Sequence, residues 1–245
     1  MNYLILLLLS LFSLASCQPD VTKVLIVVTN HSDLVGTDTK TGYYLSEVTH
    51  PYDKFIKAGF DVDFASPEGG AAPMDPKSLD LEDPLNKSFY ENKELMGQLE
   101  KTISLKTINP KDYKAIVFAG GHGTMWDFAD SEAISQVSRE IYESGGVVAA
   151  VCHGPAALVN IKLSNGDYLI KGKRVTGFTN VEEDIVQLSK FMPFMLEDKL
   201  KERGATFEGA KPWSEQVVVD GRLVTGQNPA SASRLGLQVV EILNQ

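Results

Sequence analysis

The sequence of 245 residues has very few cysteines, and the two it contains, Cys17 and Cys152, stand in different surroundings. Cys17 ends an apolar segment at the start of the chain, whereas Cys152 follows an apolar run in its second half. Two cysteines so placed do not make a disulfide framework, which needs several paired thiols. We therefore expect Cys152 to be a free thiol.

Positive charge is also scarce, since 23 Lys and Arg residues face 32 Asp and Glu residues for a formal net charge of −9. No basic cluster interrupts this acidic balance, so a nucleic-acid partner is not expected. There are only four histidines, and none follows His153, which excludes the downstream His-x-Glu of a glutaminase-type triad. A metal site is not predicted either, because Glu47 and His50 lack a third ligand at metal-like spacing.

No apolar run has the length to span a bilayer comfortably, and the leucine-rich run near the start of the chain instead has that of a signal-peptide core. This run leads into Leu14–Cys17, which resembles a bacterial lipobox. We therefore predict a lipoprotein-type signal peptide over residues 1–17, lipidation at Cys17 and a tether over residues 18–22. The predicted location is the cell envelope, where the N-terminal lipid would anchor the protein to a membrane.

Residues 23–245 alternate between apolar runs and amphipathic segments, which predicts one α/β domain. Its sheet should be mostly parallel, with helices on both faces and right-handed crossovers. Residues 71–112 are polar, contain four prolines and interrupt the alternation, so we predict an inserted helical cap with a helix near residues 86–104. Residues 216–225 predict a hairpin with an Asp-Gly turn. Continuous apolar runs, typical of strands covered on both faces, occupy residues 23–30, 113–119 and 145–151.

The segment Gly145–Leu158 predicts a buried strand, a sharp turn at Cys152 and a following helix. Such a nucleophile elbow strains the backbone at its central residue and crowds the positions two before and two after it. Those positions hold Ala150 and Gly154, which are both small. The N-terminus of the following helix should favour the thiolate form of Cys152. A buried structural cysteine remains the alternative interpretation.

A glycine-rich loop follows another predicted strand at the same edge of the sheet, where parallel sheets bind their ligands. It reads Gly120-Gly121-His122-Gly123. Its peptide N–H groups, that of Gly121 included, could form an oxyanion hole together with the N–H of His153. They would stabilise the charge that develops when Cys152 attacks a carbonyl. A tight turn without a catalytic role is the alternative.

His153 is the candidate base for Cys152, and an acidic side chain should hold its imidazole. Three glutamates are candidates: Glu47 at the start of the first predicted helix, and Glu182 and Glu183 further along the chain. The residues by themselves leave this choice open. For Glu182 a solvated helix start is the favoured interpretation.

Five motifs together resemble the glyoxalase III and heat-shock chaperone branch of the PfpI superfamily. They are Ala150–Pro155, Gly120–Thr124, Gly42–Tyr52, Ala65–Gly70 and Thr225–Ser231. The resemblance covers nearly the whole chain after Cys17, the insert included. It implies a flavodoxin-like sandwich with the topology of class I glutamine amidotransferases. It also implies a reaction that needs no metal, nucleotide, glutathione or other cofactor.

Carried over by position, the resemblance implies Cys152 as the nucleophile and His153 as the adjacent base. It implies Glu183 as the acid that orients His153, and Glu47 as the carboxyl group that hydrogen-bonds the sulfur. Whether Glu182 or Glu183 orients His153 stays open at this point. Further candidates for the substrate pocket are Gly120, His122 and Asn228.

The reaction that the resemblance implies is the conversion of methylglyoxal to lactate through a hemithioacetal on Cys152, so the expected partner is a small dicarbonyl. Two alternatives stay open. One is a holdase chaperone or protein deglycase, and a holdase would not need Cys152; the other is a cysteine peptidase or amidase that uses the same site. The predicted cap favours the small molecule, because it would hinder a peptide or a folded substrate. A homodimer is left open as the assembly state.

Overall fold

The computed structural model describes residues 21–245, and the strands of this part are arranged in two sheets. In chain order they are β1 (Lys23–Val27), β2 (Asp61–Ser66), β3 (Ile103–Ser104), β4 (Ala115–Phe118), β5 (Val147–Val151), β6 (Arg174–Val175), β7 (Thr206–Phe207), β8 (Val217–Asp220) and β9 (Leu223–Gly226). The large sheet has the order β3-β2-β1-β4-β5-β9-β8, and β6 pairs with β7 apart from it. Its neighbouring strands are parallel except for the hairpin β8–β9, which confirms the predicted mostly parallel sheet.

Helices connect these strands and cover the sheet. They are α1 (Leu45–Lys57), α2 (Pro84–Glu91), α3 (Lys93–Leu99), α4 (Thr124–Asp127), α5 (Glu132–Glu143), α6 (Asn180–Ile185), α7 (Leu196–Glu202) and α8 (Ala232–Leu243). Helices α1 and α8 pack directly on each other, and Gly236 of α8 makes this possible. A Cβ atom at Gly236 would lie 2.8 Å from the Cα atom of Pro51 in α1.

The three central strands β1, β4 and β5 form the core of the molecule. Every residue of β4 and β5, and four of the five in β1, are buried. Removing a Val or Ile side chain from water contributes about 1.5–3 kcal/mol each, so these strands supply much of the stability. This burial on both faces explains why the strands are continuously apolar instead of alternating.

The inserted segment differs from its prediction. In place of one helix near residues 86–104 it contains two short helices, α2 and α3, followed by the edge strand β3. The break falls at Asn92, whose backbone is extended and whose side-chain oxygen accepts hydrogen bonds from the N–H groups of Glu94 and Leu95. Asn92 therefore ends one helix and caps the next. That the segment shelters the site stays a prediction.

The predicted signal peptide and Cys17 lie in residues 1–20, outside the residues that the structure describes. Across residues 21–245, none of the helices combines the length and the apolar character that a membrane crossing would require.

Candidate active site

Cys152 lies directly after β5 in the strained turn that the sequence predicts. Its φ of 59° places it in the left-handed region, which a residue other than glycine rarely adopts. The backbone is fixed on both sides, since the N–H of Cys152 donates to Gly226 O and its carbonyl accepts from the N–H of Phe178. A Cβ atom at Gly154 would lie 2.3 Å from Phe118 O, so only glycine fits there. The strained turn of the predicted elbow is thus present.

The segment after the elbow departs from the prediction. It is a five-residue 3₁₀-helix, Gly154–Leu158, and not an α-helix with a substantial dipole. Cys152 itself is only 3% exposed. Burial and the neighbouring Glu47 carboxyl raise the pKa of the Cys152 thiol well above its usual value, and a hydrogen bond from the Gly121 N–H opposes them in part. The environment of Cys152 therefore favours the thiol form in the free protein. This is the opposite of the sequence-based expectation that the following helix would favour the thiolate.

His153 bridges the thiol and a carboxylate. Its Nδ1 lies 3.4 Å from the Cys152 Sγ, and its Nε2 lies 2.7 Å from an Oε2 of Glu183. Burial and the nearby His122 lower the pKa of His153, while Glu183 acts in the opposite direction. The imidazole is therefore neutral near pH 7. With its proton on Nε2, towards Glu183, the Nδ1 atom is free to accept the thiol proton.

Of the two adjacent glutamates of α6, it is Glu183 that contacts His153. Its other carboxylate oxygen lies 3.1 Å from the Nε2 of His122, so two imidazoles share this carboxylate. Burial by itself would raise the pKa of Glu183, but the adjacent His153 and the two histidine hydrogen bonds hold it well below its usual value. Glu183 is thus a carboxylate at neutral pH.

Glu182 is fully buried, which corrects the expected solvated helix start. One of its oxygens accepts hydrogen bonds from the backbone N–H and the hydroxyl of Thr179, which closes a capping box at the start of α6. The other oxygen accepts from the N–H of Trp213 and from the side-chain amide of Asn228. Glu182 therefore fixes the helix that carries Glu183 and ties it to two distant segments.

Glu47 reaches the sulfur from α1 and is fully buried. Its Oε2 accepts a 2.7 Å hydrogen bond from the N–H of Gly120, while Oε1 has no partner of ordinary hydrogen-bond geometry among residues 21–245. Burial raises the pKa of Glu47 to about 8, although the Gly120 N–H and the approaching Cys152 thiol both favour the carboxylate. A carboxyl group with this pKa can give or take a proton near neutral pH.

The backbone of the glycine-rich loop packs tightly against Glu47 and the end of β5. A Cβ atom at Gly120 would lie 2.7 Å from the Glu47 Oε2 and 2.6 Å from Val151 O, so glycine is required there. Gly121 has a φ of 96° and turns its N–H towards the Cys152 sulfur. The N–H of Gly120 is already used by Glu47, which leaves the N–H groups of Gly121 and His153 as the candidates for an oxyanion hole.

Asn228 supports the segment that carries Glu182. It is fully buried, and its amide nitrogen donates to Glu182 and to the carbonyl of Ser214, both at 2.9 Å. The preceding Gln227 accepts a hydrogen bond from the N–H of Ala210. These two amides hold the segment that precedes β8 against the site. The substrate-pocket role of Asn228 stays a prediction.

Two aromatic residues near the site were not among the candidates. Phe178 packs on the imidazole of His153 with ring centroids 4.3 Å apart, and Trp213 meets Phe178 edge-on at 5.7 Å. His122, a predicted pocket residue, also lies against His153 at 4.1 Å. Sequence offers little signal for Phe178 and Trp213, because each lies in an irregular segment without a recognisable motif.

The comparisons with known proteins agree with this arrangement. The model of the DJ-1/PfpI family matches residues 39–242, which is most of the chain. The chain belongs to the DJ-1/PfpI family. The glutathione-independent glyoxalase of Saccharomyces cerevisiae is 37% identical to it over 232 residues, which cover 90% of this chain and 98% of that protein.

Two solved structures of the same family are similar over nearly their whole length. Glyoxalase III from Candida albicans has a TM-score of 0.84 and 32% identity, covering 90% of this chain and 97% of that one. The 24 kDa rapid encystment protein of Francisella tularensis has a TM-score of 0.88 and 43% identity, covering 91% and 99%. The predicted flavodoxin-like sandwich and the predicted resemblance to this family are thereby confirmed.

These relatives also overturn one prediction. The assignment of a signal peptide, lipidation at Cys17 and a lipid-anchored protein of the cell envelope is wrong. Relatives that cover about nine-tenths of this chain are named as glyoxalases, and neither name denotes a lipoprotein or an envelope protein. The membrane is accordingly not retained as a partner.

Metal ligation has one candidate group among residues 21–245. The donor atoms of His122, His153 and Glu183 lie within 4.8 Å of one another. In this structure they are joined to one another by the hydrogen bonds described above. His50, considered with Glu47 in the sequence, is instead 2.8 Å from Asp83.

A cavity of about 730 Å³ opens at the carboxyl ends of β1, β2 and β4. None of the predicted site residues lines it. The carboxylate of Asp127, a half-buried residue of the cavity lining, accepts hydrogen bonds from the Thr29 hydroxyl and the Asn30 N–H. The cavity is thus separate from the group of residues around Cys152.

Proposed function

We propose that this protein is a glutathione-independent glyoxalase that converts methylglyoxal to lactate, with Cys152 as its nucleophile. The observation that carries the proposal is the buried chain of contacts from Cys152 through His153 to Glu183, with the Glu47 carboxyl also next to the sulfur. The relatives named as glyoxalases, similar over nearly their whole length, support the same activity.

In the first step the thiol adds to the aldehyde carbon of methylglyoxal. The thiol proton passes to Nδ1 of His153, which lies 3.4 Å away, and the Glu183 carboxylate stabilises the imidazolium that forms. The aldehyde oxygen becomes an oxyanion, for which the N–H groups of Gly121 and His153 are the donors. Return of the proton to this oxygen gives the hemithioacetal.

In the second step a proton moves from the aldehyde carbon to the neighbouring ketone carbon. A base removes the C–H proton while the ketone oxygen takes up a proton, which gives an enediol. The same base then returns its proton to the adjacent carbon, as the hydroxyl on the first carbon gives up its own proton. The first carbon is thereby oxidised to a thioester while the second is reduced to an alcohol, so no external oxidant is needed. Glu47 suits this role, because its pKa of about 8 allows both transfers near neutral pH. Water then hydrolyses the thioester and releases lactate.

The burial of the site favours a small substrate over the alternatives. A cysteine peptidase or amidase would use the same three residues on an acyl group, but a thiol that is 3% exposed is poorly placed for an extended peptide. A holdase chaperone would not need Cys152 at all. A homodimer stays a prediction, which light scattering on the purified protein would test.

The decisive experiment follows lactate over time from methylglyoxal without glutathione, using purified wild type and Cys152→Ala. We expect lactate from the wild type and none from Cys152→Ala, with circular dichroism to show that both are folded. Glu91→Gln, a substitution at an exposed position, controls for effects of mutagenesis and purification that are unrelated to the site. Lactate formation that persists in Cys152→Ala, or is absent from the wild type, contradicts the proposal.

A further inference from the structure

Trp213 is held in a conformation that costs free energy. Its φ of 63° is in the left-handed region, where bulky side chains are rarely found. Nearly half of its surface, 48%, is nevertheless exposed to solvent, so burial of the indole is a poor explanation for the strain. Backbone strain of this kind persists where the surrounding structure enforces it, and it is concentrated at functional sites.

Buried polar groups enforce this conformation. The N–H of Trp213 donates to an Oε1 of Glu182 at 2.9 Å, and the amide of Asn228 donates to the same oxygen and to the carbonyl of Ser214. Glu182 and Asn228 are both fully buried. Breaking these bonds would leave buried polar groups unpaired, at about 1–3 kcal/mol for each group, whereas the strain of one residue costs about 1–3 kcal/mol in all. The position of Trp213 is therefore fixed from within the molecule.

Trp213 is the exposed end of an aromatic row that leads to the nucleophile. Its ring lies 5.7 Å from Phe178, and Phe178 lies 4.3 Å from His153. Phe178, His153 and Cys152 are each at most 4% exposed. The side chain of His122, which also borders His153, is 17% exposed. The indole is therefore the point at which this row of rings meets the solvent.

We propose that Trp213 is a specificity-determining residue that sets the size of the aldehyde that reaches Cys152. On this proposal the indole borders the approach from the solvent to Cys152, while Glu182 and Asn228 hold the backbone from which the indole projects. A compact 2-oxoaldehyde such as methylglyoxal passes the indole, whereas one with an aryl group is hindered. In naming the aldehyde as the selected group, this inference rests on the proposed function.

The test compares Trp213→Gly with a matched control at the same backbone angle. Glycine accepts a φ of 63° without strain, so Trp213→Gly removes the indole while relaxing the backbone. Gln187, with a φ of 61° just beyond α6, allows the same relaxation in Gln187→Gly without an aromatic ring being lost. The kcat/KM values for methylglyoxal and phenylglyoxal are measured for both variants and the wild type. We expect the ratio to shift towards phenylglyoxal by about tenfold in Trp213→Gly only.

A second measurement does not depend on glyoxalase activity. Cys152 is alkylated with iodoacetamide or with the bulkier N-phenylmaleimide, and modification is followed by mass spectrometry on the peptide that contains Cys152, which separates it from Cys17. We expect Trp213→Gly to gain reactivity towards the maleimide relative to iodoacetamide, and Gln187→Gly to match the wild type. Trp213→Asn, which also tolerates a positive φ, serves if the glycine variant is poorly folded.

The outcomes separate the two proposals. If the protein makes no lactate but the alkylation ratio shifts in Trp213→Gly, the glyoxalase function fails and the size-selecting role of Trp213 stands. If lactate forms and both ratios are unchanged in a folded Trp213 variant, the role of Trp213 is overturned. An equal shift in Gln187→Gly also overturns it, because relaxed backbone and not the indole would then be the cause.

Discussion

The Glu47 carboxyl and the Cys152 thiol are buried next to each other, and each affects the pKa of the other. Ionisation of either group disfavours ionisation of the other, and the two titrate as a coupled pair. The reactivity of the sulfur is therefore set by Glu47 as much as by His153.

We predict that Glu47→Gln lowers the apparent pKa of Cys152. The carboxylate charge raises the pKa of the thiol, and glutamine removes this charge while it can still accept from the Gly120 N–H. The measurement is the rate of iodoacetamide alkylation of Cys152 as a function of pH, with Glu91→Gln as the exposed control. A rise of the apparent pKa in Glu47→Gln would mean instead that a protonated Glu47 stabilises the thiolate.

The same carboxyl should make stability depend on pH. Burial raises the pKa of Glu47 from 4.5 to about 8, so in this range the folded state binds more protons at this site than the unfolded state. Its contribution to stability therefore falls as pH rises from about 4.5 to 8. We expect the Tm of Glu47→Gln, relative to wild type, to be higher at pH 8 than at pH 5. A difference independent of pH, measured by thermal denaturation, contradicts this.

Substitution of Glu182 should lower the stability of the fold, whereas substitution of the neighbouring Glu183 should lower turnover. Glu182→Gln places an amide against groups that all donate hydrogen bonds, which should destabilise the fold by about 1–3 kcal/mol. Glu183→Gln leaves an imidazolium of His153 without its charge partner, so we expect turnover to fall by about 10²-fold or more in a folded protein. Urea unfolding and steady-state kinetics on the two variants distinguish the effects. Equal stability of Glu182→Gln and wild type would count against the first expectation.

We predict that His122→Gln shifts the acid limb of the kcat/KM profile to higher pH. His122 lowers the pKa of His153, so its removal raises that pKa, and the base is then protonated at a higher pH. The profile is measured with methylglyoxal, and His50→Gln is the control because His50 pairs with Asp83 instead. An unchanged acid limb in His122→Gln would show that the two imidazoles are not coupled.

The elbow is predictable from sequence because its steric demands are local. Ala150 and Gly154 flank Cys152, and the structure shows why the latter must be glycine. The central strands are predictable for a similar reason, since burial on both faces leaves a continuous apolar run. The pairing of His153 with Glu183 is implied by the resemblance, whereas the residues themselves leave the choice of acid open.

The buried contacts that hold the site residues in place cannot be predicted from local sequence. A glutamate at the start of a polar helix looks solvated, but Glu182 is buried by partners that lie 31 and 46 residues further along the chain. The strain at Trp213 and the shift of the Cys152 pKa likewise arise from distant groups. Such contacts depend on tertiary packing, which hydrophobic periodicity does not encode.

The close approach of Gly236 to Pro51 has a consequence at the sulfur. Pro51 lies one turn beyond Glu47 on α1, so the absence of a side chain at Gly236 determines how deeply this helix is seated. The position of the Glu47 carboxyl relative to the Cys152 thiol therefore depends on α8, although α8 contributes no side chain to the site. A methyl group at position 236 would push α1 away from α8 and so displace the Glu47 carboxyl from its place beside the sulfur.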